Sequence, residues 1–337
     1  MLAEAREAPA AAARAIAANA GACQTLAARL RAKPPRFVVT CARGSSDSVA
    51  TYASYLIELT LGIVTASVGP SVSSIYGARL DMRDTLFLAI SQSGRSPDLL
   101  ALTESAHRDG ALTVAVLNDE TSPLAALADV VLGVKAGPER SVAATKSYLA
   151  SLATVLQFVT AWHGEDGLAE AVKSLPEALA RAANADWQVG LPVLARATNL
   201  YVVGRGVGYA AAQEAALKLK ETCGLHAEAI SAAELMHGPL ALAGPTFPVL
   251  AIGQNDAAVP ALRQLLASVS MQEAPILTAA PGRDWPGTML PVADGLHPFV
   301  QPIAAIQSFY GLVEMVARAR GRDPDHPAHL HKVTETI

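Results

Sequence analysis

The stretch Thr85-Leu86-Phe87-Leu88-Ala89-Ile90-Ser91-Gln92-Ser93-Gly94-Arg95-Ser96-Pro97-Asp98 decides the fold prediction. Its first six residues form an apolar run typical of a buried strand, and the residues from Leu99 onward favour a helix. Gly94 permits a tight turn between the two. Strand, hydroxyl-rich turn and helix predict half of a βαβ unit. The turn places three serines at a helix N-terminus, which suits a phosphate, although serine is also an ordinary helix cap there.

The same order of strand, glycine turn and helix occurs twice more in the sequence. Residues 36–41 lead into Arg43-Gly44, and residues 199–204 lead into Arg205-Gly206. Aligning these two turns also aligns Gly62 with Gly224, which indicates a duplicated domain. The other strand candidates are residues 63–68, 85–90, 112–117, 130–134, 247–252, 275–278 and 287–290. Strands that alternate with helices predict parallel sheets covered on both faces, with ligands at the carboxyl ends of the strands.

Composition narrows the class of protein. The chain has 337 residues, 51% hydrophobic and 17% charged, with a net charge of −4. This predicts two domains with large cores, and the lack of a basic block argues against nucleic acid as a partner. The apolar stretch 148–162 is short for a membrane span, and we expect no secretory signal. Cys23, Cys41 and Cys223 lack metal spacing, which predicts reduced, buried thiols in the cytoplasm.

A row of charged residues marks the second half of the chain. Glu214, Lys218 and Glu221 are spaced by four and three residues in a helical segment, so they share one helix face. Such a row is usually a solvated surface. Here the helix follows a glycine-rich turn, and His237 comes later, in a predicted turn before Gly-Pro. A carboxylate and a histidine near a phosphate site indicate proton transfer on a sugar.

These motifs resemble the sugar isomerase (SIS) domain family, in particular the double-SIS isomerase half of glucosamine-6-phosphate synthase and the SIS-type amino-sugar phosphate deaminases. The resemblance extends from about residue 40 to the C-terminus and rests on residues 91–94, 142–146, 214–221, 226–228, 234–239 and 330–334. It implies an α/β fold with two tandem flavodoxin-like SIS domains. The expected boundaries are a helical segment 1–32, SIS domains 33–165 and 187–325, a helical linker 166–186 and a tail 326–337.

The resemblance also implies roles for matching residues. Those expected to hold the sugar phosphate and the sugar are Ser46, Ser91, Gln92, Ser93, Ser96, Glu139 and Ala143. Glu221 would move a proton between C1 and C2, with Lys218 beside it. His237 would assist ring opening, reaching in from the other subunit of a homodimer. Lys332, on the tail, would close over the site, and no cofactor or metal is expected.

Two departures from the synthase shape the expected reaction. Too few residues precede the first SIS strand for a glutaminase domain, and Ala144 stands where the synthase has a serine. A full set of isomerase residues without an ammonia source predicts conversion of glucosamine 6-phosphate to fructose 6-phosphate and ammonia. The alternatives are a fructosamine-6-phosphate deglycase and a non-catalytic phosphosugar sensor. We interpret His326, His329 and His331 as residues of a mobile tail and not as ligands of a metal ion. The Arg-Gly turns do not complete a dinucleotide-binding motif.

Overall fold

The computed structural model describes residues 1–330 and residue 332, and these residues form two compact units. One unit contains Ala10–Glu139, Lys146–Lys173 and Lys332, and is called the Ser91 unit here. The other contains Met1–Pro9, Arg140–Thr145 and Ser174–Leu330, and is called the Glu221 unit. The family-based boundaries given above stay a prediction.

The elements follow one another in the alternating order that the sequence predicts. The strands are β1 Phe37–Cys41, β2 Thr65–Ser67, β3 Thr85–Ser91, β4 Leu112–Leu117, β5 Val130–Gly133, β6 Asn199–Gly204, β7 His226–Ser231, β8 Val249–Ile252, β9 Ile276–Ala279 and β10 Thr288–Met289. The helices are α1 Leu2–Arg6, α2 Ala8–Ala32, α3 Ser45–Leu61, α4 Ser71–Ser74, α5 Pro97–Arg108, α6 Pro123–Leu127, α7 Lys146–His163, α8 Asp166–Ala182, α9 Leu191–Arg196, α10 Gly208–Cys223, α11 Ala232–Met236, α12 Val259–Met271 and α13 Gln301–Ala319. Two short 3₁₀ helices cover Gln188–Gly190 and Pro239–Leu242.

The Ser91 unit is built on a parallel sheet in the order β2-β1-β3-β4-β5. The central strand β3 is buried along its apolar length, as expected for a sheet covered by helices on both faces. Phe87 of β3 packs in one core cluster with Leu99 and Leu102 of α5. Helices α3 and α7 pack against each other in the same unit. The buried apolar run before the serine turn therefore forms the middle of the sheet.

A topological switch point lies beside β1 in this sheet. The chain leaves β1 for β2 on one side, and β3 lies on the other side. The loops after β1 and β3 consequently diverge at the same edge of the sheet, where α/β proteins of this kind bind ligands. The serine turn and the Arg43-Gly44 turn are these two loops.

The Glu221 unit repeats this topology, with a parallel sheet in the order β10-β9-β8-β6-β7. Tyr201 and Val203 of β6 pack with Leu262 and Leu265 of α12. Helix α10, which carries the charged row, packs against α13 and against β6 and β7. Two parallel five-stranded sheets flanked by helices confirm the predicted α/β class with a duplicated domain.

The strand β7 is a correction to the sequence-based prediction, which assigned no strand to residues 226–231. This strand lies at the edge of the sheet and pairs only with β6 among the described strands. His226 and Glu228 point to solvent while Ala227 is buried, so the apolar signal is weak. Because ionisable side chains occupy the exposed face of this edge strand, the sequence lacks the apolar run that would predict a strand here.

Other expectations about burial are confirmed. All three cysteines are free and buried, and burial raises the pKa of Cys23 and Cys41 to about 12 and that of Cys223 to about 11, so the thiols stay protonated. Helix α7, which contains the apolar stretch 148–162, is buried along most of its length. None of the helices in the described residues is long and apolar enough to cross a membrane.

Candidate active site

The serine turn of the Ser91 unit is closed by a hydrogen bond and by a tight glycine. The Gly94 N–H donates to Ser91 Oγ at 3.0 Å. Gly94 has a φ of +63°, and a Cβ at this position would lie 2.7 Å from Ser122 Cβ. Because other residues resist both the left-handed conformation and this close approach, the sequence needs glycine here. The turn thus presents Gln92 and Ser93 in a fixed backbone conformation.

The side chains predicted to hold phosphate are accessible on this turn. Ser91, Gln92, Ser93 and Ser96 are all partly exposed. Ser96 is the N-cap residue of α5, but its hydroxyl makes no capping hydrogen bond within the described residues. The simple capping explanation therefore does not account for Ser96, whose hydroxyl stays available to a ligand.

Ser46 lies in the first turn of α3, on the loop after β1. The N-cap of α3 is Gly44, with a φ of +58°. Since β1 and β3 are neighbouring parallel strands, the N-terminal ends of α3 and α5 lie at the same edge of the sheet. Each helix N-terminus presents unpaired N–H groups and partial positive charge. This edge has the chemistry of an anion-binding site.

An ion pair that the sequence did not predict joins the two loops. Arg43 Nε and Nη2 donate to Asp98 Oδ2 at 3.2 and 2.9 Å. Asp98 lies in the first turn of α5 and is buried, while half of the Arg43 side chain is exposed. In the first turn of α3, burial raises the pKa of Asp47, and the nearby Arg43 guanidinium partly offsets that effect.

The structure brings together two further predicted residues of the same unit, Glu139 and Lys332. Lys332 Nζ lies 3.4 Å from Glu139 Oε2. Glu139 is almost fully buried, and it accepts hydrogen bonds from the backbone N–H and the hydroxyl of Ser147. A buried carboxylate held in this way has a fixed orientation toward the lysine. The tail residues around Lys332, namely 331 and 333–337, lie outside the described residues.

The charged row of Glu214, Lys218 and Glu221 is arranged on α10 of the Glu221 unit. Lys218 Nζ lies 3.6 Å from Glu214 Oε1 and forms a close ion pair with Glu221 Oε2. Lys218 and Glu214 are fully buried, whereas 24% of the Glu221 side chain is exposed. Tyr310 of α13 donates its hydroxyl hydrogen to Glu214 Oε1 at 3.1 Å. The solvated-surface interpretation of this row is therefore wrong for two of its three members.

This burial defines what the row can do chemically. A buried ammonium or carboxylate is stable only when it is paired, so Lys218 and Glu214 fix each other. Glu221 is the member that a solute can reach, and its carboxylate is oriented by Lys218. A positioned carboxylate can accept a proton, and an adjacent ammonium can stabilise negative charge that develops on a substrate.

Two other predicted residues belong to this unit, His237 and Ala143. His237 is the C-cap residue of α11 and is exposed, next to Gly238 with a φ of +129°. No hydrogen bond or ion pair joins His237 to the row within the described part of the chain. Ala143 is buried, so only its backbone could contact a ligand. Across residues 1–330 and 332, no group of three or more His, Cys, Asp or Glu residues is arranged to hold a metal ion.

These features define a class of protein: a tandem, doubly wound α/β chain in which two helices begin at one edge of the first sheet and one helix of the second unit carries a buried carboxylate–ammonium row. Comparison with known proteins gives the family. Residues 33–161 and 193–279 match the SIS domain model. The chain therefore belongs to the SIS domain family, and its fold is that of phosphosugar isomerases of the SIS type.

Individual relatives agree with this family. A provisionally named phosphosugar isomerase from Silicibacter pomeroyi DSS-3 is 44% identical, with a TM-score of 0.91 over 96% of this chain and 99% of that one. The C-terminal domain of glucosamine-fructose-6-phosphate aminotransferase from Francisella tularensis is 25% identical, with a TM-score of 0.84 over 96% and 97% of the two chains. The glutamine–fructose-6-phosphate aminotransferase (isomerizing) of Aeropyrum pernix is 32% identical over 86% of this chain. The chain spans about half the length of the curated relatives it matches.

Proposed function

We propose that this SIS protein is a phosphosugar isomerase that acts on an amino sugar phosphate. It opens glucosamine 6-phosphate, moves a proton from C2 to C1, and hydrolyses the resulting imine to fructose 6-phosphate and ammonia. The observation that carries this proposal is the charged row, in which a buried Lys218 holds the accessible carboxylate of Glu221. Proton transfer next to a carbonyl needs such a base and such a cation.

Glu221 is the base in this mechanism. Its carboxylate takes the C2 proton of the open-chain aldehyde, the electron pair forms the C1–C2 double bond, and the aldehyde oxygen gains a proton. The Lys218 ammonium stabilises the negative charge that develops on this oxygen. Glu221 then returns its proton to C1, and the nitrogen electron pair completes an imine at C2. Water adds to C2, and ammonia leaves as the ketone forms.

The other predicted residues bind the substrate or open its ring. The hydroxyls and amide of Ser46, Ser91, Gln92, Ser93 and Ser96 hold the phosphate at the edge where two helix N-termini meet. His237 transfers the proton that ring opening requires, because histidine is a common general acid and base and this side chain is exposed on a turn. Lys332, Glu139 and the Ala143 backbone contact the open-chain sugar. The homodimer that shares His237 and the cytoplasmic location belong to the same proposal.

The comparisons support an amino sugar phosphate as the substrate. The curated relatives are named for fructose 6-phosphate and for amino-group transfer with isomerisation. A solved structure named glucosamine-6-phosphate deaminase, from Thermotoga maritima, is 21% identical with a TM-score of 0.74, which supports the fold alone. The accessible Glu221 beside a buried lysine argues against a sensor without catalysis, because binding alone does not require a base.

The test is a panel of substrates assayed with the purified protein. Ammonia and ketose phosphate are measured with glucosamine 6-phosphate, galactosamine 6-phosphate, fructosamine 6-phosphate and fructose 6-phosphate. We expect equal amounts of ammonia and fructose 6-phosphate from glucosamine 6-phosphate. Turnover of fructosamine 6-phosphate alone would identify a deglycase, and binding without turnover of any compound would identify a sensor.

A variant tests the role of the base. We expect Glu221→Gln to lower kcat by about 10²–10⁴-fold, the usual contribution of a general base, while the Kd for sugar phosphate stays within a few fold. The matched control is Glu170→Gln, which removes the carboxylate of another Glu–Lys pair three residues apart on a helix, exposed on α8. Activity of Glu221→Gln equal to that of Glu170→Gln would exclude Glu221 as the base.

A further inference from the structure

We infer that Arg43 binds the phosphate group of the substrate through its Nη1 edge, and that Asp98 is the residue that positions it. The inference rests on the proposed function, since it assumes that the ligand is a phosphate monoester. It adds a charged residue to a set of predicted phosphate ligands that are all neutral.

The Arg43 side chain lies at the switch point of the sheet. Arg43 follows β1 and precedes Gly44, the N-cap of α3, while Asp98 lies in the first turn of α5. The guanidinium therefore extends from one loop of the switch point to the helix that begins after the other loop. This is the same edge at which Ser46 and the serine turn lie.

Asp98 fixes the orientation of the Arg43 guanidinium. Nε and Nη2 both donate to Asp98 Oδ2, and Asp98 Oδ1 accepts the Leu99 N–H at 2.8 Å. The carboxylate is thus buried and fixed by the start of α5, and it holds one edge of the planar guanidinium. Nη1 makes no hydrogen bond within the described residues, and 52% of the Arg43 side chain is exposed. An edge held in place in this way loses little conformational entropy when it binds an anion.

Arg43 also offsets negative charge at this edge of the sheet. Asp47 and Asp98 both lie in the first turns of the helices at this edge, and two carboxylates without a cation would repel a phosphate dianion. Arg43 is paired with Asp98 and also acts on the pKa of Asp47. The arginine of the serine turn itself, Arg95, donates to Asp119 Oδ2 at 2.9 Å. Arg43 is therefore the cation that makes this edge compatible with phosphate.

The duplicated position in the Glu221 unit supplies a contrast. There Arg205 follows β6 as Arg43 follows β1, but its Nη1 donates to Ser231 Oγ at 3.1 Å. Gln254, on the loop after β8, donates to the Arg205 carbonyl at 2.8 Å and to Asp256 Oδ2 at 2.9 Å. The Nη1 edge of Arg205 is therefore occupied by a hydrogen bond within the protein. The loops after β6 and β8 are also hydrogen-bonded to each other. The exposed Nη1 of Arg43 is thus not a general consequence of the Arg-Gly turn.

The experiment compares Arg43→Met with Arg79→Met. Arg79 forms an ion pair with Asp109, the C-cap residue of α5, so the control breaks an Arg–Asp pair at the opposite end of the same helix. Binding of glucose 6-phosphate, glucosamine 6-phosphate and unphosphorylated glucosamine is measured by calorimetry, together with the melting temperature and kcat. We expect Arg43→Met to weaken binding of both phosphates at least tenfold, with a smaller change in kcat at saturation. Arg79→Met should keep the wild-type affinity.

Arg43→Gln is the second variant, because its neutral amide can still donate to Asp98 and preserve the link between the loops. We expect it to lose affinity for the phosphates at an almost unchanged melting temperature. Unchanged phosphate affinity in either folded variant would overturn the inference and leave only a structural role for the ion pair. Failure of the wild-type protein to bind any sugar phosphate would instead refute the proposed function, whereas binding without ammonia release would leave the Arg43 test intact.

Discussion

At the scale of single residues, the charged row of the Glu221 unit is held in place by a carboxylate that is buried away from solvent. Glu214 is fully buried, and it receives the Tyr310 hydroxyl and the Lys218 ammonium. Lys218 in turn contacts the accessible Glu221. The orientation of the proposed base thus depends on a chain of contacts that begins on another helix, at Tyr310.

Replacement of Tyr310 by Phe tests this chain of contacts. The variant leaves a buried carboxylate with one hydrogen bond fewer, so we expect the free energy of unfolding to fall by about 1.5–3 kcal/mol. We also expect a lower kcat, because Lys218 and Glu221 are less well positioned. Chemical denaturation and steady-state kinetics measure the two effects.

The matched control is Tyr76→Phe, which removes the hydroxyl of a tyrosine that is 79% exposed. It should change neither stability nor kcat. If Tyr310→Phe behaves like Tyr76→Phe in both measurements, the Tyr310–Glu214 hydrogen bond does not position the row.

At the scale of elements, the serine turn depends on the space beside one glycine. Gly94 combines a positive φ with close contact to Ser122, which begins the α6 segment. Gly62, the C-cap of α3, has a similar φ of +66° but nothing within 4 Å of the position of a Cβ. Both glycines have a positive φ, but of the two only Gly94 has a neighbouring side chain that a Cβ would overlap.

We expect Gly94→Ala to destabilise the protein more than Gly62→Ala. Gly62→Ala should lower the free energy of unfolding by about 1–2 kcal/mol, the usual penalty of a left-handed alanine. Gly94→Ala adds a steric overlap with Ser122, so the turn must shift, and the affinity for glucose 6-phosphate should fall as well. Thermal unfolding and calorimetry provide the comparison, and equal effects of the two substitutions would contradict the argument.

At the scale of the whole molecule, the duplicated sheets have the same strand order but different loops at their switch points. In the Ser91 unit the serines of the turn are partly exposed. In the Glu221 unit Gln254 is buried, and a Cβ on Gly208 at the start of α10 would overlap its Oε1. The amide therefore occupies the space beside the α10 N-terminus, and the nearby Asp256 adds negative charge.

We expect one phosphate-binding site per chain for this reason. Calorimetric titration with glucose 6-phosphate should give one equivalent per chain, and Arg43→Met should weaken all of this binding. A second equivalent that persists in Arg43→Met would show that the loops of the Glu221 unit open to admit an anion.

The sequence alone determined most of the fold, since its signals are local. The apolar runs, the glycine turns and the helical spacing of Glu214, Lys218 and Glu221 each express a backbone period or a steric restriction within a few residues. The same period placed the charged row on one face of α10. Among the strands of residues 1–330, only β7 lacks such a local signal, because this edge strand exposes its ionisable face.

The tertiary structure alone decided which side chains meet across the chain. Tyr310 and Glu214 are separated by 96 residues, Arg43 and Asp98 by 55, and Lys332 and Glu139 by 193. The periodicity of a helix or a strand does not predict such pairs, because the order of strands and the packing of helices bring them together. Burial has the same origin. The spacing of Lys218 and Glu214 is also that of a surface ion pair, and the packing of α10 against α13, β6 and β7 removes these charges from water.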